Sequence, residues 1–188
     1  MEQDRARWDE RHAAAGPTVP RPPDALVDAG LVDEVPASGR LLDVACGTGP
    51  VARWALARGL DVVALDASGH AIDELRNASE AADPGGETRL DARRVDLDDG
   101  LPAELGSFDV VVVQRFRDTG VLAAAPGLVR PGGLLIITVL SEVGADAPGP
   151  FRAAPGELEA VVAADDPTWT RLVHVEGGGE ASLVVRRR

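Results

Sequence analysis

Phe108-Asp109-Val110-Val111-Val112-Val113 is apolar and β-branched with almost no alternation. Such a strand must be covered on both faces, as in a parallel sheet flanked by helices. Further apolar runs read as strands over 40–44, 61–65, 88–95 and 134–140. Between them lie segments with helical signals. Pro50 suits the first position of a helix that runs through Trp54 and Leu56 to Arg58, and Gly59 suits the position just past its end. Ser68 is a plausible cap for a helix bearing Ile72 and Leu75. Helices are also expected over 1–15, 24–35, 119–129 and 157–164. The chain closes with two runs, 169–176 and 181–187, around Gly177-Gly178-Gly179, which reads as a hairpin. Strands alternating with helices predict an α/β, Rossmann-like, doubly wound, mostly parallel sheet with a C-terminal antiparallel hairpin.

In such sheets ligands bind outside the carboxyl ends of the strands. Asp43, Gly47, Gly49, Asp66, Asp96 and Gln114 all fall at expected strand ends or just beyond. Glycines let a backbone approach a ligand closely, and a helix N-terminus offers free N–H donors. An acid at the tip of the next strand, Asp66, can accept from a ribose diol. The combination points to a nucleoside-containing cofactor. Gly47-Thr48-Gly49-Pro50-Val51-Ala52 also fits the loose dinucleotide pattern. Asp43 argues against that option, because it would repel a pyrophosphate but could pair with a cationic amine. A nicotinamide-dependent oxidoreductase also needs a substrate domain, for which 188 residues leave little room.

The net charge of −12 disfavours nucleic acid as a partner. One cysteine, a charged N-terminus and the lack of a long apolar run predict a cytoplasmic protein without a membrane span. All 19 basic residues are arginine and tyrosine is absent, so neither lysine nor tyrosine can serve as a base.

Asp43-Val44-Ala45-Cys46-Gly47-Thr48-Gly49 resembles the first motif of class I S-adenosylmethionine (SAM) methyltransferases, an apolar strand followed by D/E-x-G-x-G-x-G. Ala45 replaces the first glycine and crowds the loop slightly. Asp66 stands where the family places its ribose-binding acid. Val95-Asp96-Leu97 looks like the adenine-contacting segment, and Phe108 to Gln114 like the fourth strand and its tip. Arg7-Trp8-Asp9-Glu10-Arg11 and Phe151 to Leu158 are similar to the small tellurite-resistance and thiopurine-type methyltransferases, whose N-terminal segment folds over the cofactor.

The resemblance implies a single structural domain. Residues 1–36 form an N-terminal helical lid segment, and 37–188 bind SAM, which leaves as S-adenosylhomocysteine. The implied cofactor-binding residues are Trp8, Arg11, Asp43, Ala45, Cys46, Gly47, Gly49, Asp66, Ala67, Ser68, Asp96, Leu97 and Gln114, with no metal. The implied reaction is methyl transfer to a small-molecule acceptor, driven mainly by positioning. His12, Gln114 and Arg115 are the candidates nearest the chemistry. Arg115 and Arg117 either attract an anionic acceptor or pair with surface acids. His70 reads as solvated, His174 as remote, and Trp54 and Trp169 as core. A thiol nucleophile at Cys46 is not expected, since no histidine lies near it in sequence. A second reading keeps the fold without the chemistry, as a SAM-binding regulatory protein with a degenerate acceptor pocket. Acceptor atom and oligomeric state are not legible.

Overall fold

The computed structural model describes residues 9, 18–84, 89–149 and 151–188. A seven-stranded sheet runs through the molecule. Its strands are β1 (Arg40–Val44), β2 (Asp61–Asp66), β3 (Leu90–Arg94), β4 (Phe108–Gln114), β5 (Val129–Leu140), β6 (Trp169–Gly177) and β7 (Glu180–Arg187). Their order is β3-β2-β1-β4-β5-β7-β6. The first five are parallel, and β7 runs antiparallel between β5 and β6. The expected architecture is therefore present, with the hairpin at one edge.

The apolar strands divide their residues between two cores. Leu42, Val44, Val111, Val113, Leu135 and Ile137 face one side. There they pack with Val121 and Leu122 of helix α4 (Thr119–Ala124). Leu41, Val62, Ala64, Val110, Val112 and Ile136 face the other. That side is covered by α1 (Asp24–Asp28), α2 (Pro50–Arg58) and α3 (Gly69–Ala82). The period of two thus persists inside each run, although both faces are apolar. Asp43, Asp66 and Gln114 share the parity of the second set, so they project toward the α1–α3 side.

Three expected helices are shorter than their patterns. The helix over 24–35 stops at Asp28, and a 3-10 turn follows at Val32–Glu34. Gly30 between them has φ +67°, which no helix continues through. The helix over 119–129 ends at Ala124 and tightens to a 3-10 turn, Ala125–Leu128. Pro126 inside that turn cannot donate to an α-helical ladder. The segment over 157–164 is only the 3-10 turn Glu157–Ala160, too short to nucleate more. Arg130-Pro131-Gly132-Gly133 lies within the start of β5, where the register with β4 shifts between Phe108 and Val110. Gly133 is required there, because a Cβ would lie 2.7 Å from the carbonyl oxygen of Asp109.

Helix α2 begins with Pro50 after Gly49 in the left-handed region and ends on Gly59, as its sequence predicts. Gly49 has φ +73°, and a Cβ there would collide with Leu75 Cδ1 of α3. We expect Gly49→Ala to destabilise the fold by roughly 2 kcal/mol, through strain and overpacking together. Urea unfolding of the ligand-free protein checks it.

Candidate cofactor site

The turn after β1 is held by its neighbours rather than by itself. Cys46 donates its N–H to Leu65 O of β2 at 2.9 Å. Gly47 donates its N–H to Asp66 Oδ2 at 2.8 Å, and Ser68 donates its N–H to Asp66 Oδ1, also at 2.8 Å. Asp66 therefore ties the glycine turn to the loop after β2. A carboxylate offers about four lone-pair sites, so each oxygen keeps capacity for one more donor. A ribose diol needs two acceptors, which is what remains.

Asp43 lies beneath the first turn of α2 and accepts the Ala52 N–H at 3.1 Å. It is 3% exposed. Burial pushes its carboxyl up to about 7, the Ala52 N–H pulls it back, and the nearby Asp66 charge adds to the rise. A cation beside it would favour the charged form. The same geometry leaves the start of α2 with fewer free donors for a pyrophosphate. Pro50 has no N–H, and the Ala52 N–H is already taken by a carboxylate.

Ala45 has φ +56°, a left-handed conformation that costs a side-chain-bearing residue about 1–2 kcal/mol. The crowding expected from this substitution is thus a backbone strain. Cys46 is buried, and its thiol is raised well above its ordinary value by burial first, then by the Asp43 and Asp66 charges. That disfavours thiolate chemistry.

Ser68 caps α3 by accepting the Ala71 N–H at 3.1 Å, and its hydroxyl donates to Asp9 Oδ1. Asp9 also accepts the His70 N–H at 3.3 Å. Its carboxyl is lowered, chiefly by the Ser68 hydroxyl. The acid of the N-terminal run is therefore docked beside the Asp66 loop, a role that sequence reasoning missed in favour of its neighbours. Trp8, Arg11 and His12 lie outside the described residues. Ala67 gives its carbonyl to Arg94 Nε at 3.2 Å. Asp96 caps a 3-10 turn by accepting the Asp98 N–H at 3.2 Å, and Leu97 is buried in the core. Val95 N–H reaches Asp66 O at 2.9 Å, so this segment adjoins Asp66.

Gln114 stands at the tip of β4, but its Oε1 accepts the Asp24 N–H at 3.0 Å and holds the start of α1. Arg115 follows with φ +58°, a strained position with no sequence signal. Its guanidinium lies 3.6 Å from Asp24 Oδ2 and 3.7 Å from Glu180 Oε1, on the wall of a shallow groove of about 410 Å³. Arg117 forms a two-pronged pair with Glu157 at 2.7 Å for each contact, pinning the loop after β5. Arg117 thus follows the acid-pairing alternative. His70 lies 3.7 Å from Glu74 on the exposed side of α3, and His174 is 3.5 Å from Glu159. Trp54 and Trp169 pack at the margins of the two cores.

The strand order, with β7 antiparallel between β5 and β6, is the architecture of class I SAM-dependent methyltransferases. Residues 41–133 match the family model described as "Methyltransferase domain". The chain carries the domain of that family. The biotin biosynthesis bifunctional protein BioCD of Bordetella avium is 35% identical over 141 residues, which cover 72% of this chain and 27% of that protein. The ribosomal protein L11 methyltransferase of Bordetella parapertussis is 36% identical over 129 residues, 66% of this chain and 39% of that one. The chain thus spans well under half the length of these curated relatives. TehB from Haemophilus influenzae superposes with a TM-score of 0.70 at 18% identity, covering 86% of this chain and 62% of TehB.

Two expectations follow. Ala45→Gly removes the strain at φ +56° and raises stability by about 1 kcal/mol in urea unfolding. Asp43 is raised in the folded state, so the native protein holds a proton that the unfolded chain releases near pH 4. Its contribution to stability therefore falls as pH climbs from about 4 to about 7. The stability of Asp43→Asn relative to the parent should accordingly grow across that window.

Proposed function

We propose that this domain binds SAM and transfers its methyl group to a small-molecule acceptor. The observation that carries the reading is the convergence of Asp43, the 45–49 turn and Asp66 at the tips of neighbouring strands. Asp66 would take the ribose hydroxyls with its remaining lone pairs. Asp43 would sit near the cationic end, directly or through water. The 96–97 segment would border the adenine. SAM, when bound, supplies a methyl already activated by its sulfonium.

The chain's own task is then to hold the acceptor in line and exclude water. Oriented placement is worth about 7–11 kcal/mol of barrier. A general base is needed only for an acceptor that is protonated at working pH. Gln114 is committed to α1 and acts as a positioning residue for the wall of the β4-side groove. Asp9, which accepts from Ser68 and His70, would anchor the N-terminal segment beside the site. Support for a small acceptor comes from the net charge of −12, which repels RNA phosphates, and from the limited volume of the groove beside Arg115.

The test is transfer of labelled methyl from SAM to thiols, phenols, carboxylates and chalcogen oxyanions, alongside ribosomal protein and RNA fractions. The reading predicts label in one small-molecule class. Label only in protein or RNA would overturn the acceptor assignment. SAM binding without transfer to any fraction would favour a regulatory protein. Asp66→Ala should weaken SAM binding by roughly 100-fold, the loss of two hydrogen bonds to a charged group. Unchanged affinity would sink the ribose assignment.

A further inference from the structure

Two arginines follow β4, and they differ in how they are held. Arg117 is closed by Glu157 on two prongs at 2.7 Å. The Arg115 guanidinium reaches carboxylates only at 3.6 Å (Asp24) and 3.7 Å (Glu180), beyond hydrogen-bond distance. Its side chain is 57% exposed, and Asp24 is already paired with Arg21 at 3.0 Å. Long, exposed ion pairs hold a side chain weakly. The planar fork of Arg115 is thus open to an oxyanion arriving from solvent.

Its backbone is not left to chance. Arg115 has φ +58°, and its N–H donates to Thr138 O of β5 at 2.7 Å, which holds the chain there. A glycine would take this conformation without strain. A side-chain-bearing residue stays in it only where the surrounding structure imposes it, and such residues cluster at ligand sites. The groove beside Arg115 also lies in the right place. Arg115 follows Gln114 at the end of β4, and Glu180 of the groove pairs with Leu140 at the end of β5. Arg21, on the same wall, donates its N–H to Pro50 O at 3.0 Å, so the groove adjoins the turn after β1. Ligands of open α/β sheets bind outside these carboxyl ends.

The lining sets the chemistry. Arg21 and Arg115 share the groove with three acids, Asp24, Asp28 and Glu180, while Pro22 and the half-exposed Val27 add apolar surface. A single negative charge finds a forked partner there. A dianion meets three carboxylates and a chain of net charge −12. We infer that the acceptor is a small monocarboxylic acid with an apolar body, and that Arg115 holds its carboxylate. This rests on the small-molecule methyltransferase reading above and narrows it to one substrate class. Recognition alone is assigned to Arg115, which is a specificity residue; the bond-making step is unchanged.

Ligand-observed saturation-transfer NMR on the whole protein, with S-adenosylhomocysteine present, compares three acid–amide pairs. These are benzoate with benzamide, 4-hydroxybenzoate with 4-hydroxybenzamide, and phenylacetate with phenylacetamide. Phenyl phosphate is the dianion. The expected result is that at least one acid binds about fivefold tighter than its amide, and that phenyl phosphate binds no tighter than benzoate. Arg115→Gln removes the difference by weakening the acid alone. Arg115→Gly removes it too, while leaving the melting temperature equal or higher, because it relieves the strain at φ +58°; a purely structural arginine would lower it. No acid preference in any pair, a preference that survives Arg115→Gln, or tighter binding of phenyl phosphate overturns the inference. The affinity for S-adenosylhomocysteine is measured on the same samples. If it fails to bind while the acid preference holds, the methyl-transfer reading falls and the carboxylate site stands.

Discussion

The two carboxylate oxygens of Asp66 hold the site together. One takes the Gly47 N–H and the other the Ser68 N–H, so a single side chain joins the turn after β1 to the loop after β2. The rest depends on that join. Ser68, once fixed, caps α3 and receives Asp9. Gly47, once fixed, lets the chain turn left-handed into α2, whose Ala52 N–H then covers Asp43. Charge, backbone conformation and helix placement are set by one residue at the end of one buried strand.

Burying two acids on adjacent strands is costly unless something compensates them. Asp66 is compensated by backbone N–H groups. Asp43 has one such partner, and burial raises its carboxyl to about 7, so it titrates near neutrality. That asymmetry leaves Asp43 responsive to a positive ligand and Asp66 responsive to hydroxyl donors. The Ala52 N–H that Asp43 accepts is also one that the start of α2 cannot offer to a phosphate.

The fold was legible because its strands are long apolar runs that end in acids or glycines. The two cores follow directly from Val110–Val113 and Leu134–Ile137, buried on both faces. Helix lengths were less legible, because Gly30 and Pro126 stop ladders that the apolar pattern would continue. The meeting of Asp43, Gly47, Gly49 and Asp66 at one end of the sheet was legible, because all four stand at strand ends or just beyond. The acceptor side was not. Gln114 was expected beside the cofactor, yet its amide oxygen accepts from the start of α1, a contact 90 residues away in the chain. Arg115's left-handed backbone and Asp9's docking likewise arise from tertiary contacts that no local pattern encodes.

The central claim is that the turn after β1 cradles SAM and not a dinucleotide. Titration calorimetry of the protein with SAM and, separately, with NAD(H) tests it most directly. The account predicts one SAM per chain, with protons released on binding near pH 7 as the cationic cofactor lowers Asp43, and no heat from NAD(H). Binding of NAD(H) with none of SAM would contradict it.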